Sequence, residues 1–290
     1  MAKARDELLA RARDLVAVDP AQAADHYWQA LCVDPACVEA SNALEQLEDP
    51  RRYSAWMKVN CIIDPRDDLL RFIARGPHGQ NPIRAYLADG WRTLAELMVA
   101  LERVGRPLLD RESVLEFACG FGRFTRHLAP LFPGRLAATD IVPGANDFVA
   151  DQFGVTVFAS ATEPGKLRFP QRYSLVLVLS LLTHLPPAQW EAWLRALAGA
   201  VEPGGLLLFS VHSESTAERQ GVVFDEHGCF FVPSSESSVL DPDQYGTTFT
   251  TRAFVEHTVR HALGVEPLGY QPEAFWGGQD AVIVAPSSGG

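Results

Sequence analysis

Two hydrophobic rhythms divide the chain. Up to about residue 107 the apolar positions recur every three or four residues, as in Leu8, Leu9, Ala12, Leu15 and Val16, and again in Leu87, Leu94, Leu97, Met98 and Leu101 between Tyr86 and Val104. That spacing predicts amphipathic helices. From about Leu108 short apolar runs alternate with helical stretches: Val114 to Ala118, Arg135 to Asp140, Val155 to Ala159, Tyr173 to Ser180 and Leu206 to Val211, with Val265 to Tyr270 and Ala281 to Ala285 closing the series. Strand alternating with helix predicts an α/β fold, a mostly parallel seven-stranded sheet flanked by helices. Tyr173 to Ser180 is apolar almost throughout, as suits a central strand buried on both faces.

Breaks in the pattern suggest an organisation into 1–49, a helical segment, 50–107, a helical lead-in, and 108–290, the α/β domain. Asp64-Pro65, Gly76-Pro77 and Asn81-Pro82 punctuate the lead-in, each biasing the preceding residue out of a helix. After Val211 the rhythm changes, which predicts an insertion at about 213–250 over the ligand face. Gly221–Phe224 and Cys229–Val232 flank Asp225-Glu226-His227-Gly228 there, a predicted hairpin. Thr247 to Thr251 then leads into a helix from about Arg252 to Ala262, and Ser287 to Gly290 is expected to fray. Within the first segment, Ala24, Tyr27, Ala30 and Leu31, followed by Asp34-Pro35, Ala40 and Leu44, resemble one tetratricopeptide unit. A single repeat cannot bury both its faces, so it is expected to cap the main domain or to form a homodimer through the N-terminal helices. Trp28, Trp56, Trp190 and Trp193 fall on helical stripes and are expected in the core or at domain contacts.

Composition narrows the partners. The chain has 290 residues, 47% hydrophobic and 21% charged, enough for a large core with an attachment. A formal charge of -11 with no cluster of Lys and Arg argues against nucleic acid. Five scattered cysteines without a C-x-x-C pair suggest free thiols in a reducing compartment. No apolar segment approaches membrane length, and acidic residues stand where a signal peptide would need an apolar stretch, so a cytoplasmic protein without a membrane partner is expected.

Ligands of open α/β sheets sit beyond the carboxyl ends of the strands. The first strand ends in Glu116-Phe117-Ala118-Cys119-Gly120-Phe121-Gly122, the second in Asp140, the third in Ser160 and the fourth in Ser180. Asp140 follows Gly122 by 18 residues, close to the spacing at which a carboxylate accepts hydrogen bonds from ribose hydroxyls. A dinucleotide fingerprint does not fit, because its third glycine would fall at Thr125 and Glu116 would repel a pyrophosphate. A carboxylate there suits an ammonium group.

An acid opening the loop, small residues within it and an acid closing the next strand resemble class I S-adenosylmethionine-dependent methyltransferases, a Rossmann-like family, over about Leu108 to Ala285. The resemblance implies S-adenosylmethionine as cofactor. It would place Glu116 near the methionine amino group, Gly120 and Gly122 along its path, Asp140 on the ribose, Ile141 against adenine, Ser160 and Ala161 at the adenine edge, and Leu179 to Leu181, including Ser180, beside the methyl donor. Tyr86 resembles the lead-in tyrosine that closes over the cofactor, although a core aromatic explains it equally. Glu202-Pro203-Gly204-Gly205 matches the family's late turn. Two positions depart from the pattern: Ala118 replaces the first loop glycine, which is tolerated if φ is negative there, and Ser160 stands where Asp is frequent.

Methyl transfer needs an aligned acceptor and a route for its proton. His184, just after the fourth strand, is the first candidate base and His212, after the fifth, the second; Tyr245 and His227 are further candidates for the acceptor pocket. The Asn/Asp-Pro-Pro-Tyr signature of nitrogen methylation is absent after strand four, and Ser180 stands where a metal-dependent enzyme would have a ligand carboxylate. The expectation is a metal-independent methyltransferase acting on a small-molecule acceptor, with a hydroxyl favoured, in a biosynthetic or sugar-tailoring pathway. The alternatives are a peptide or protein methyltransferase that uses its N-terminal helices for substrate, and a noncatalytic binding or assembly module.

Overall fold

A computed structural model describes residues 2–76, 81–234 and 245–287, and divides into two units, Met1–Gly90 and Trp91–Gly290. In the first unit, helices α1 (Ala2–Leu15), α2 (Pro20–Val33) and α3 (Val38–Gln46) pack through small residues. Asp19 starts α2, its carboxylate accepting from the Gln22 amide, with Pro20 at the first helical position where no amide donor is needed. Ala23, Ala24, Tyr27, Ala30 and Leu31 take the buried face of that helix.

Trp28 follows Tyr27 directly and so falls on the outer face, about 100° round the helix. It is 40% exposed, and Trp56 is 64% exposed, so neither joins the core as the helical stripes had suggested. The Arg51 guanidinium covers the Trp28 ring at 5.5 Å, and Trp56 meets Tyr53 edge-on. Trp190 and Trp193 are buried as expected. Two short helices, α4 (Ser54–Met57) and α5 (Asp68–Ala74), precede the long α6 (Pro82–Arg103), which runs through the division between the units. No helix among the described residues is long and apolar enough to cross a membrane.

The second unit is built on a sheet. Strands β1 (Val114–Phe117), β2 (Leu136–Thr139), β3 (Thr156–Val157), β4 (Tyr173–Val178) and β5 (Val201–His212) run parallel in the order β3-β2-β1-β4-β5. Two further strands, β6 (Cys229–Val232) and β7 (Thr247–Thr250), precede β8 (Gly269–Phe275) and β9 (Gln279–Val284). β9 lies antiparallel to β5 and carries β8 on its outer edge. These are the seven expected strands, with β6 and β7 added.

Two predicted elements moved. Gly221–Phe224 forms no strand; Cys229–Val232 pairs instead with Thr247–Thr250, antiparallel. The Asp225 carboxylate accepts the His227 and Cys229 amides and closes a turn into β6, while β7 meets β5 through His212 and Phe249, so the distant strand is the partner that extends the sheet. The expected strand Val265–Tyr270 begins only at Gly269, beyond Pro267, whose ring nitrogen could not donate to a ladder. Residues 235–244 of the predicted insertion, Pro77 of the lead-in and 288–290 of the predicted frayed end lie outside the described residues.

Helices α7 (Thr125–Leu128), α8 (Ala145–Phe153), α9 (Trp190–Gly199), α10 (Glu214–Arg219) and α11 (Arg252–Leu263) complete the unit. Alternate residues of the central strands feed two cores. Val176, Val178, Leu207 and Phe209 meet Trp193, Leu197 and Val259 on one face. Leu175, Leu177, Leu206 and Leu208 meet Leu101, Phe124 and Leu128 on the other. All six β4 residues are buried, and each apolar side chain of that size contributes about 1.5–3 kcal/mol by leaving water. The strand ends beyond β4 are thus carried by a fully buried strand.

Candidate active site

The loop after β1 is tied to the end of β2 by main-chain bonds and one carboxylate. The amides of Ala118 and Cys119 both donate to the Thr139 carbonyl, at 2.8 and 3.2 Å. Asp140 accepts the Gly120 amide on one oxygen at 2.7 Å and the Val142 amide on the other at 2.8 Å. Asn146 completes the join. Its carboxamide accepts the Asp140 amide and donates to the carbonyls of Asp140 and Phe158.

The two glycines of the loop do different work. Gly120 has φ of +55°, and a Cβ placed there would meet no atom within 4 Å, so its surface is open. Gly122 has φ of +74°, and a Cβ there would lie 2.5 Å from Phe153 and 3.1 Å from Val149 on α8. One glycine opens the loop and the other lets it pack. The condition under which Ala118 would be tolerated without strain, a negative φ, is not met: it sits at +62°. An L-residue in this region is strained by about 1–2 kcal/mol, and the paired bonds to Thr139 hold it there.

Glu116 lies on β1 below this loop and is buried, with Oε2 making no hydrogen bond. Burial pushes its carboxyl up to about 8; the Thr125 hydroxyl opposes the shift and the charge of Asp140 adds to it. A desolvated acid beside a second carboxylate is stabilised in its charged form by a cation. Ile141 stands 37% exposed beyond Asp140, while Ser160 and Ala161 are half-buried after β3. Ala161 packs on the core, and the Phe158 carbonyl also accepts the Thr139 hydroxyl.

The second group gathers beyond β4 and β5. Leu179 is half-buried against the α7 side of the core, and Ser180 follows with φ of +58°. The chain then makes a helical turn in which the amides of His184 and Leu185 donate to the Leu181 carbonyl. His184 is buried, its Nδ1 lies 2.8 Å from the Gly246 carbonyl, and its ring stacks on Tyr245 with centroids 4.5 Å apart. His212 repeats the arrangement, with Nδ1 2.8 Å from the Thr248 carbonyl and its ring on Phe249 at 4.6 Å. A carbonyl only accepts, so Nδ1 carries the proton in both rings and Nε2 is the basic nitrogen of the neutral form.

The segment from Tyr245 into β7 therefore lies between the two histidines. It is fastened to the β4 exit by the Gly246 and Thr248 amides, which donate to the carbonyls of His184 and Thr183, and by the Thr248 hydroxyl, which donates to that of Leu185. His227 is exposed beside Glu226 on the turn before β6. Tyr86 belongs to the first unit; its side chain is fully buried there and its hydroxyl donates to Asp67 at 2.7 Å. Sequence reasoning overlooked Asn146 and the carbonyls of Gly246 and Thr248. An asparagine six residues past Asp140 is a usable signal, since its amide can serve both main-chain polarities; carbonyls leave no trace in residue identity.

A family described as "Methyltransferase domain" matches residues 88–243, and the chain belongs to that family. Its fold is that of an S-adenosylmethionine-dependent methyltransferase from Clostridium acetobutylicum, superposing with a TM-score of 0.50 at 14% identity over 69% of this chain and 93% of the other. Other similar structures are magnesium protoporphyrin IX methyltransferase from Synechocystis with S-adenosylhomocysteine, at 16% identity, 76% and 94% coverage and a TM-score of 0.49. A third is 1,6-didemethyltoxoflavin-N1-methyltransferase from Burkholderia thailandensis, with its substrate and S-adenosylhomocysteine, at 18% identity, 77% and 87% coverage and a TM-score of 0.49. No curated protein sequence matches the chain.

Proposed function

We propose that this methyltransferase binds S-adenosylmethionine in the β1 and β2 loops and, without a metal ion, methylates a hydroxyl oxygen of a small-molecule acceptor. The observation that carries the cofactor assignment is Glu116: a buried carboxylate with an unmatched oxygen, below a loop whose Gly120 surface is open. An ammonium group supplies the missing charge. The bound cofactor provides a sulfonium-activated methyl carbon.

The chain's own groups do the rest. Asp140, oriented by the amides of Gly120 and Val142, accepts ribose hydroxyls, since each carboxylate oxygen can take two donors. Gly120 lets the backbone approach the methionine chain closely. Ile141 covers adenine, Ser160 and Ala161 border its edge, and Leu179 and Ser180 form the wall beside the methyl carbon. His184 Nε2 removes the acceptor proton, with the Gly246 carbonyl fixing the tautomer that makes it basic. His212, pinned in the same way, is the second candidate.

The test combines calorimetry with S-adenosylhomocysteine and mass-spectrometric detection of methylated products from hydroxyl-bearing small molecules. The expected result is binding to the unmodified protein. With an acceptor in hand, His184→Ala should lower kcat by about 10²–10⁴-fold and leave S-adenosylhomocysteine affinity unaltered. Failure to bind S-adenosylhomocysteine would overturn the cofactor assignment, and an unchanged kcat in His184→Ala would overturn the base.

A further inference from the structure

Ser180 has a backbone conformation that L side chains rarely adopt, and it stands at the carboxyl end of β4, between the buried strand and the turn that carries His184. Something must hold it there. A closed ring of hydrogen bonds does so, from two strands remote in sequence. The Ser180 amide donates to the Ser210 hydroxyl at 2.8 Å. Ser210, fully buried on β5, donates in turn to Gln279 Oε1 at 2.7 Å. The ring closes when Gln279 Nε2 donates back to the Ser180 hydroxyl at 3.0 Å.

The geometry of the sheet explains why these residues meet. Gln279 opens β9 and is the antiparallel partner of His212, so the two side chains share a face of the sheet; Ser210, two residues before His212, shares it too. Ser180 reaches the same face from the neighbouring parallel strand. The ring also continues into the His184 turn, because the Thr183 hydroxyl donates to the Ser180 carbonyl at 2.9 Å. None of these side chains is an acid or base. Their joint effect is to fix a main-chain conformation.

We infer that Gln279, acting with Ser210, is a positioning residue: it locks Ser180 in its left-handed conformation and so sets the direction in which the β4 exit presents His184. The role in methyl transfer rests on the function proposed above, whereas the locking of Ser180 stands by itself. Replacing Gln279 with Leu removes the donor to the Ser180 hydroxyl and the acceptor of Ser210. Replacing Ser180 with Gly makes the left-handed conformation accessible without them.

The test is amide hydrogen exchange, read by mass spectrometry on the full chain without ligand, alongside S-adenosylhomocysteine calorimetry. In Gln279→Leu, exchange of residues 180–185 should accelerate about tenfold relative to that of β1 and β2, and Ser210→Ala should do the same. The double variant Gln279→Leu with Ser180→Gly should recover most of the protection, which a general loosening of the sheet would not allow. Unchanged exchange in Gln279→Leu, uniform acceleration through the sheet, or no recovery with Gly would each overturn the inference. Calorimetry reports separately on the proposed function, so loss of one reading does not obscure the other. With an acceptor in hand, Gln279→Leu should lower kcat more than it raises KM, and the Ser180→Gly double variant should restore kcat.

Discussion

The cofactor end and the acceptor end of the proposed site are joined over very different stretches of chain. Around β1 and β2 the bond that shapes the loop runs from Gly120 to Asp140, 20 residues apart. Beyond β4, the bonds that shape the turn run from His184 to Gly246 and from Ser180 to Gln279, 62 and 99 residues apart. The first end is assembled by neighbouring strands and their own connection; the second is assembled only once β7 and β9 have docked on β5. Both ends hold an L-residue at positive φ, Ala118 in one and Ser180 in the other. Main-chain bonds to a single carbonyl restrain the former, and a ring of side chains restrains the latter. A short-range end is therefore held by residues of adjoining strands, while a long-range end needs residues of several elements, any of which can release it.

Asp140 tests this contrast most severely. Asp140→Ala removes both the proposed ribose acceptor and the tie between two loops, so S-adenosylhomocysteine affinity measured by calorimetry should fall about 100-fold, consistent with losing charge-assisted hydrogen bonds. An affinity within a few-fold of the original would mean that the loops do not need their shared carboxylate.

Glu116 comes next, through pH. In the ligand-free fold it keeps its proton to about pH 8, whereas the unfolded chain releases it near its ordinary value of 4.5. Across that window the folded state holds the extra proton, so this group makes stability fall as pH rises. Binding an ammonium group requires the ionised form, so affinity for S-adenosylhomocysteine should strengthen between pH 6 and 8, by up to about tenfold per pH unit. In Glu116→Gln that slope should flatten, and a wild-type profile that is already flat would remove the cation role.

Smaller effects separate the two glycine-like positions. Gly122→Ala drives a methyl into Phe153 and should cost about 2–3 kcal/mol in urea unfolding, from overpacking combined with an unfavourable φ. Ala118→Gly should act in the opposite sense. It relieves strain at a position already left-handed and should stabilise the protein by about 1 kcal/mol, seen as a rise of about 2–4 °C in Tm for a chain of this size. A fall in Tm would show that the Thr139 bonds carry more than restraint.

How far each end was legible follows from the same distances. Glu116, Gly120 and Asp140 stand close together in sequence, and their types report charge and backbone freedom directly, so a reader of residues can join them. The conformation of Ala118 is illegible in sequence because an alanine carries no mark of positive φ; only the backbone, held by the Ala118 and Cys119 amides on Thr139, reveals it. The strand ends nominate His184 and His212 as candidate bases, yet what fixes their tautomers is the carbonyl of Gly246, just before β7, and that of Thr248 within it. Ser210 and Gln279 gave no signal at all. Serine in an apolar strand and glutamine after two glycines are ordinary until the antiparallel register of β5 and β9 brings them to Ser180. The expected hairpin differs for the same reason, since Cys229–Val232 pairs with Thr247–Thr250, farther along the chain, rather than with the residues just before it.

The way the backbone of residues 246–248 grips the two histidines separates what depends on side chains from what does not. Gly246 and Thr248 offer main-chain oxygens to the imidazoles, and main-chain oxygens persist whatever side chain the residue bears. Were His184 or His212 the base proposed above, side chains along this segment could be exchanged, residue by residue, without changing which ring nitrogen carries the proton. On that proposal, substrate range and proton chemistry would evolve on separate tracks, with three residues of backbone serving as the fixture beneath an exchangeable face.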